Sequence, residues 1–228
     1  MPPPAAPAAV LFDLDGTLVH SEPVNVESVI LAVRRWGAEL DAEDRQFVVG
    51  HSWNEIYDRI VGRHGLRLPM DALIAAAVEE KQALIAGTGL PALPGAVETV
   101  RRLGRRSPLA VVSGASRVEV RDAVEGLGLA DAFAFLIGAE DYRRGKPDPE
   151  PYRMAIERLG VPAGACLVIE DATPGILSAR AAGARVIGVR AGNYSGYDLS
   201  AADRVVDTLL EVTDELCAAL VGPAGPSR

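Results

Sequence analysis

The feature that most constrains this chain is a short apolar segment that ends in two acidic residues and a glycine. It reads Val10-Leu11-Phe12-Asp13-Leu14-Asp15-Gly16. Alternate side chains of a β-strand point to the same face, roughly 6.5–7 Å apart. Asp13 and Asp15 are therefore expected on one face at the C-terminal end of a strand. Because open parallel α/β sheets bind ligands at the carboxyl ends of their strands, we interpret the two acids as chemical groups. The alternative is a surface turn, where Asp and Gly are common.

Composition limits the classes of protein that the chain can belong to. Its 228 residues are 49% hydrophobic, enough for one large domain or for a core domain with an insertion. The net charge of −8 argues against nucleic acid or anionic membrane as a partner. The first residues lack the basic and apolar regions of a signal peptide, and no run approaches the ~18 apolar residues of a membrane span. We expect a cytoplasmic protein, either a monomer or a weak homo-oligomer.

The chain changes character after the first strand, which is predicted at Ala9–Asp13. From about residue 19 to residue 90 the apolar residues recur at helical spacing, and no convincing strand appears. Helices are predicted there at Pro23–Trp36, Asp41–Val49, Trp53–His64 and Met70–Ile85. A segment rich in Gly and Pro, residues 87–95, closes this region.

Strands and helices alternate through the rest of the chain. Further strands are predicted at Leu109–Ser113, Phe133–Ile137, Leu167–Glu170, Arg185–Val189 and Arg204–Val206. Helices are predicted at Ala96–Arg105, Arg117–Leu127, Pro149–Leu159, Pro174–Ala182 and Thr208–Leu220. This alternation predicts an α/β fold with a doubly wound parallel sheet and an inserted all-helical domain. We assign residues 1–19 and 91–228 to the α/β core and residues 20–90 to a helical cap, placed where a lid excludes water from chemistry.

Polar residues follow three more of the predicted strands. They are Ser113-Gly114, Lys146 after the third strand, and Glu170-Asp171. Taken singly, they fit a helix cap, a solvated lysine and a second pair of caps. Parallel strands would bring them together with the two acids at one sheet edge. Acids crowded there require a cation, and a set of oxygen ligands favours Mg²⁺. A lysine and a hydroxyl beside that cation suit a phosphate group, and a carboxylate can serve as a nucleophile in phosphoryl transfer.

These four motifs together resemble the haloacid dehalogenase superfamily, in its phosphatase and beta-phosphoglucomutase-like branch with a helical cap and a Rossmann-like core. The resemblance extends from about Val10 to Val206. It implies that Asp13 is the nucleophile and a Mg²⁺ ligand. Asp15 would be the general acid and base, with its backbone carbonyl on the metal.

The resemblance also assigns roles to the later motifs. Ser113, Gly114 and Lys146 would bind the phosphoryl group. Asp171 would be a metal ligand, and Glu170 a ligand or a support for the ligands. The implied activity is Mg²⁺-dependent hydrolysis of a small phosphate monoester, of the sugar phosphate or phosphoglycolate type, through an aspartyl-phosphate. The partner would be a small phosphorylated metabolite.

Alternatives to a phosphatase remain open at this point. The dehalogenases of the superfamily lack an acid two residues after the nucleophile, so Asp15 favours phosphoryl transfer. A phosphomutase of the beta-phosphoglucomutase kind holds a second phosphate with basic cap residues. By ungapped comparison, this chain has Asn25, Val49-Gly50 and Trp53 at those positions, which favours hydrolysis. A non-catalytic binding protein with the same fold is the third hypothesis.

The cap loop Gly50–Asn54 is the candidate specificity segment, in which His51 or Trp53 would contact the substrate.

Overall fold

A six-stranded parallel sheet forms the centre of the computed structural model, which describes residues 4–49 and 51–222. Its strands are β1 (Ala9–Phe12), β2 (Leu109–Val112), β3 (Phe135–Ile137), β4 (Cys166–Glu170), β5 (Arg185–Val189) and β6 (Arg204–Val206). They lie in the order β3-β2-β1-β4-β5-β6. This is the order of a doubly wound Rossmann-like sheet, so the predicted fold class is confirmed.

The sheet has its topological switch point at β1. This strand pairs with β2 on one side and with β4 on the other, with Phe12 opposite both Val111 and Ile169. All four residues of β1 are buried, as expected for a strand covered on both faces. The carboxyl ends of β1, β2 and β4 consequently lie side by side, where a doubly wound sheet forms its ligand crevice.

The chain divides into two compact units, with the division after His20 and after Leu90. The unit from Ser21 to Leu90 consists of helices, as the sequence predicted. They are α1 (Glu22–Arg34), α2 (Ala42–Val48), α3 (Trp53–His64) and α4 (Met70–Ile85). Their apolar faces share one buried cluster of aliphatic residues, which includes Val33, Ile60 and Leu73. That this unit acts as a cap remains a prediction.

The α/β unit carries five further helices among the residues described. They are α5 (Ala96–Gly104), α6 (Arg117–Gly126), α7 (Glu150–Leu159), α8 (Thr173–Ala181) and α9 (Asp214–Val221). A buried cluster includes residues of the strands, such as Val168, and residues of α7 and α8, such as Tyr152 and Ile176. The loops that carry Lys146 and Asp171 lead into the N-terminal ends of α7 and α8.

One predicted helix is wrong in extent, and one predicted strand begins late. The third strand begins at Phe135, two residues after its predicted start at Phe133, whose ring packs edge-on against Phe12 at 6.1 Å between centroids. The predicted helix Thr208–Leu220 is a short 3₁₀ segment, Leu209–Glu211, followed by α9. The other predicted ends lie within one or two residues of those observed, which is the usual uncertainty of helix and strand ends.

The predicted helix is divided at residue 212 because a side chain caps the start of each of the two pieces. The Glu211 carboxylate accepts the backbone N–H groups of Asp207 and Thr208, at 3.0 and 3.1 Å. The Thr213 hydroxyl then caps α9 by accepting the Leu216 N–H at 3.2 Å.

Within residues 4–49 and 51–222, no helix combines the length and the apolar character needed to cross a membrane.

Candidate active site

Three buried acids meet at the carboxyl ends of the two central strands. Asp13 directly follows β1, Glu170 ends β4, and Asp171 comes next. Each residue offers a carboxylate oxygen, and these three atoms lie within 4.8 Å of one another. The pairing of β1 with β4 accounts for the cluster, because Phe12 is opposite Ile169 and the residues that follow both strands are therefore neighbours.

Lys146 joins this cluster from the loop before α7. Its ammonium donates to Asp13 Oδ1 and to Glu170 Oε1, each at 2.6 Å. It also donates to the backbone carbonyl of Val112, the last residue of β2, at 3.0 Å. Lys146 thus ties together the ends of three adjacent strands. The predicted convergence of Asp13, Lys146, Glu170 and Asp171 is present in the structure.

Both carboxylate oxygens of Glu170 are already engaged by donors. Besides Lys146, the Tyr152 hydroxyl donates to Oε1 at 2.9 Å. The backbone N–H groups of Asp171 and Ala172 donate to Oε2 at 3.1 and 3.2 Å. A buried carboxylate is costly unless it is paired and hydrogen-bonded, and four donors meet that requirement here. Glu170 is therefore held in a fixed position, from which it orients Lys146.

A glycine of α8 leaves the space that the Glu170 carboxylate occupies. A Cβ atom built on Gly175 would lie 1.7 Å from Glu170 Oε1 and 1.9 Å from its Cδ. The carboxylate cannot move aside without losing the hydrogen bonds that hold it. Position 175 therefore requires glycine.

Replacing Gly175 with alanine is expected to destabilise the protein by about 2–3 kcal/mol, because overpacking a filled interior forces side chains and backbone to shift. Gly62, within α3, is the matched control because an added Cβ meets no atom within 4 Å. There the alanine variant should be neutral or stabilising by about 0.5–1 kcal/mol. Chemical denaturation of both variants measures the difference, and equal stability of the two would contradict the packing argument.

The loop after β1 is fitted closely around Asp171. The Thr17 hydroxyl donates to Asp171 Oδ1 at 3.3 Å. Gly16 adopts a φ of 79°, and a Cβ on it would lie 2.1 Å from Asp171 Oδ2. Only glycine fits this combination of a left-handed backbone and a close approach.

Asp15, between Asp13 and Gly16, is half-buried, and no hydrogen bond or ion pair of the described residues engages its carboxylate.

Ser113 lies at the end of β2, next to the residue whose carbonyl accepts from Lys146. The side chain is buried, and its hydroxyl oxygen accepts the Ala115 N–H at 3.0 Å. The Tyr142 hydroxyl donates to the Ser113 carbonyl at 3.1 Å. Gly114 follows, with open space where a Cβ would be. In the part of the chain that the structure describes, no hydrogen bond joins Ser113 directly to an acid of the cluster.

Burial and mutual repulsion alter the protonation of the cluster. Burial raises the pKa of Asp13 to about 7, although Lys146 opposes the shift. Burial, together with the charges of Asp13 and Glu170, raises the pKa of Asp171 to about 9. Burial would lower the pKa of Lys146, but the two neighbouring acids outweigh it and hold that pKa well above 10.5, so the ammonium stays charged.

The three acids of the cluster are suited to bind a hard divalent cation. One lysine faces three buried acids, so the cluster carries excess negative charge, and this excess contributes to the raised pKa values of Asp13 and Asp171. All the side-chain atoms that could bind a metal here are carboxylate oxygens, which suit Mg²⁺ better than a soft transition metal. Among the described hydrogen bonds, the Glu170 carboxylate accepts four, whereas those of Asp13 and Asp171 accept one each, so Asp13 and Asp171 are the residues best able to bind it.

The residues proposed for specificity belong to the helical unit. His51 is exposed, and its ring stacks on Phe47 with 3.8 Å between centroids. Trp53 begins α3 and packs, partly buried, against the apolar cluster of that unit. Gly50, which precedes them, lies outside the described residues. The roles of His51 and Trp53 remain predictions.

Sequence reasoning did not identify Tyr152, Thr17 or Gly175 as site residues. Tyr152 lies six positions after Lys146, on the helix that the lysine loop enters, and is wholly buried. A tyrosine on the inward face of that helix is a weak signal in a single sequence. Only the fold reveals that its hydroxyl meets Glu170.

Comparison with known proteins identifies the family. The profile of the haloacid dehalogenase-like hydrolases matches residues 7–183. A validoxylamine A 7'-phosphate phosphatase of Streptomyces hygroscopicus is 35% identical over 207 residues, which cover 89% of this chain and 94% of that protein. Hexitol phosphatase A of Escherichia coli is 33% identical over 208 residues, with 89% and 92% covered.

Two further similarities bear on the assignment. A bifunctional riboflavin kinase/FMN phosphatase of Arabidopsis thaliana is 28% identical over 214 residues, and the match spans 54% of its length. The crystal structure of a HAD family hydrolase from Deinococcus radiodurans, with bound phosphate and sodium, superposes with a TM-score of 0.75 at 29% identity. It covers 96% of this chain and 100% of that one. By the extent of the profile match and of the full-length relatives, this chain belongs to the haloacid dehalogenase-like hydrolases.

Proposed function

We propose that this protein is a Mg²⁺-dependent phosphatase that hydrolyses a small phosphate monoester through an aspartyl-phosphate on Asp13. The single observation that carries the proposal is the shared hydrogen bonding of Lys146 with Asp13 and Glu170 beside Asp171. A buried carboxylate with a fixed ammonium beside it is suited to attack on a phosphorus atom. The names of the curated phosphatase relatives support the same reaction class.

The nucleophile in this mechanism is the second oxygen of Asp13. Lys146 holds Oδ1, which leaves Oδ2 to form a bond to phosphorus while the bond to the ester oxygen breaks. Asp15 gives its proton to the departing oxygen. Asp15 then removes a proton from water, and that water attacks the phosphorus of the aspartyl-phosphate to release phosphate and free Asp13. The half-buried, unengaged carboxylate of Asp15 suits both tasks.

The metal would be held by Asp13 and Asp171, with the backbone carbonyl of Asp15 as a further oxygen ligand. Glu170 supports the ligands by fixing Lys146. When bound, Mg²⁺ supplies positive charge to the phosphoryl oxygens. Ser113, Gly114 and Lys146 would bind the same oxygens from the side of β2. Asp13 must be ionised to react, and Lys146 favours its charged form.

The substrate proposed is a small phosphorylated metabolite of the sugar phosphate or phosphoglycolate type. We propose that residues 20–90 act as the cap and that His51 or Trp53 contacts the leaving group. The exposed imidazole stacks on Phe47, and with Nδ1 3.2 Å from the Val49 carbonyl oxygen its Nε2 is the atom that would hydrogen-bond a polyol. Replacing His51 with alanine should change the order of preference among substrates and leave the melting temperature unchanged. An unaltered substrate order would remove His51 from the proposal.

The test is a panel of monophosphates, including hexose, hexitol and glycolate phosphates, assayed for phosphate release with MgCl₂ and with EDTA. The expected result is Mg²⁺-dependent release from at least one of them. Absence of release from folded protein across the panel would contradict the phosphatase proposal. Conversion of beta-glucose 1-phosphate to glucose 6-phosphate faster than hydrolysis would favour a phosphomutase instead.

A further inference from the structure

The ammonium of Lys146 has no hydrogen left for a substrate in this structure. An ammonium carries three N–H donors. Those of Lys146 are directed to Asp13 Oδ1, Glu170 Oε1 and the Val112 carbonyl, at 2.6, 2.6 and 3.0 Å. If Lys146 also binds the phosphoryl group, as proposed above, one of these hydrogen bonds must be exchanged for the new one.

Glu170 is the acceptor that can release the lysine at the lowest cost. Asp13 is the proposed nucleophile, and its orientation depends on Lys146. The Val112 carbonyl is fixed in the main chain and has no other donor among the hydrogen bonds described. Glu170 has three other donors, which are the amides of Asp171 and Ala172 on Oε2 and the Tyr152 hydroxyl on Oε1.

The Tyr152 hydroxyl meets the same oxygen that the lysine would leave. It donates to Glu170 Oε1 at 2.9 Å, while its ring is wholly buried with the Lys146 ammonium 4.9 Å from the ring centroid. Without this hydroxyl, Oε1 would become a buried anionic oxygen with no donor whenever Lys146 turned away. Leaving such an oxygen unpaired is costly, so Glu170 would retain the lysine.

We propose that Tyr152 is a positioning residue: its hydroxyl keeps Glu170 hydrogen-bonded while Lys146 exchanges Glu170 for an oxygen of the phosphoryl group. This inference rests on the proposed function, since it takes Lys146 as a phosphate-binding residue. It adds a residue that never contacts the substrate and that acts through the charge of Glu170. Its consequence is that phosphate binding depends on Tyr152 only while residue 170 is an anion.

The test compares four proteins, which are the wild type, Tyr152→Phe, Glu170→Gln and the double variant. Phenylalanine retains the buried ring, so the fold is expected to persist. The affinity for inorganic phosphate in MgCl₂ is measured by calorimetry, and kcat/KM is measured on the best substrate of the panel. Tyr152→Phe should weaken phosphate binding and lower kcat/KM, each by about tenfold, as expected for one hydrogen bond to a charged group. In the Glu170→Gln background the same change should alter both by less than about twofold.

Tyr57→Phe is the matched control, because that hydroxyl donates at 2.7 Å to the Leu68 carbonyl in the helical unit. It should leave both quantities unchanged. Equal losses in the two backgrounds would overturn the proposal, because a merely structural hydroxyl does not depend on the charge of residue 170. Unchanged phosphate affinity in Tyr152→Phe would also overturn it. Phosphate binding does not require turnover, so an inactive wild type would contradict the proposed function and still leave the Tyr152 inference open to this measurement.

Discussion

Replacing Asp13 with asparagine should lower the rate of phosphate release by at least about a thousandfold, since the nucleophile of a covalent mechanism is lost. Asparagine has nearly the same shape, and its side-chain oxygen can still accept from Lys146. The site therefore keeps its geometry, and what changes is the ability to bond to phosphorus. Steady-state release of phosphate from the best substrate, measured with saturating Mg²⁺, is the assay.

The matched control for this variant is Asp122→Asn, on the exposed face of α6, where the carboxylate pairs with Arg121 and both side chains are more than half exposed. This change should leave turnover within about twofold, because a surface ion pair contributes at most about 1 kcal/mol. Circular dichroism establishes that Asp13→Asn is folded. A folded Asp13→Asn protein with near wild-type turnover would contradict a mechanism in which Asp13 is the nucleophile.

The second measurement on this variant concerns the covalent intermediate. Brief reaction of the wild type with a ³²P-labelled substrate, followed by acid quenching, should leave label on the protein that hydroxylamine removes. Asp13→Asn should retain none. Turnover by the wild type without any labelled protein would favour direct attack by water, in which case Asp13 would act only as a metal ligand.

Local pattern was sufficient to predict most of the fold. The strands that end at Phe12, Val112 and Glu170 are continuous apolar runs, as buried parallel strands are. The helices of residues 21–90 follow from the spacing of their apolar residues. Where prediction was wrong, side-chain capping decided the outcome. Glu211 and Thr213 divide a segment whose apolar spacing alone indicated one helix.

The site was predictable to the extent that its residues follow strands. Asp13, Lys146, Glu170 and Asp171 converge because β1, β4 and β3, the strands that they end or follow, lie in one sheet with only β2 between β3 and β1, and their order along the chain is typical of the family. Tyr152, Thr17 and Gly175 act through single contacts with residues of the motifs. Tyr152 and Thr17 donate hydrogen bonds to acids of the cluster, and Gly175 leaves space for Glu170. No local pattern specifies these contacts, since each depends on how helices and loops pack in three dimensions.

Removing divalent metal should abolish turnover and should also make the stability of the folded protein depend strongly on pH. In the folded protein the pKa of Asp13 is about 7 and that of Asp171 about 9, whereas both carboxyls have a pKa of 3.8 ordinarily. The folded state therefore binds protons more tightly than the unfolded state does. The stability that these two groups contribute is fully present below about pH 4 and is lost as pH rises through 7 and 9.

Acids with lowered pKa values do not obscure this trend. His64, Arg59 and Arg63 hold the pKa of the buried Asp44 below its usual range. Arg106 likewise lowers the pKa of Asp214. The stability from such groups is lost only when pH falls below their ordinary values. Between pH 6 and pH 9 they remain ionised in both states. The buried thiols of Cys166 and Cys217, whose pKa values burial raises from 9.0 to about 11, begin to contribute only near pH 9. A decline in metal-free stability between pH 6 and pH 8 therefore reports the raised acids.

Mg²⁺ should counteract this decline because it binds the ionised cluster and not the protonated one. Since protons compete with the metal for Asp13 and Asp171, the rise in melting temperature on adding Mg²⁺ should be larger at pH 9 than at pH 6. A difference of at least about 4 °C corresponds to roughly 1–2 kcal/mol for a chain of this size. Thermal unfolding in EDTA and in MgCl₂ at the two pH values measures it.

Asp171→Asn separates the metal site from other effects of Mg²⁺ on the protein. It removes one of the two raised acids and a proposed ligand, while the amide can still accept from Thr17. The metal-free variant should lose less stability between pH 6 and pH 9 than the wild type, and its response to Mg²⁺ should be small at both. An equal Mg²⁺ response in the variant and the wild type would place the metal elsewhere.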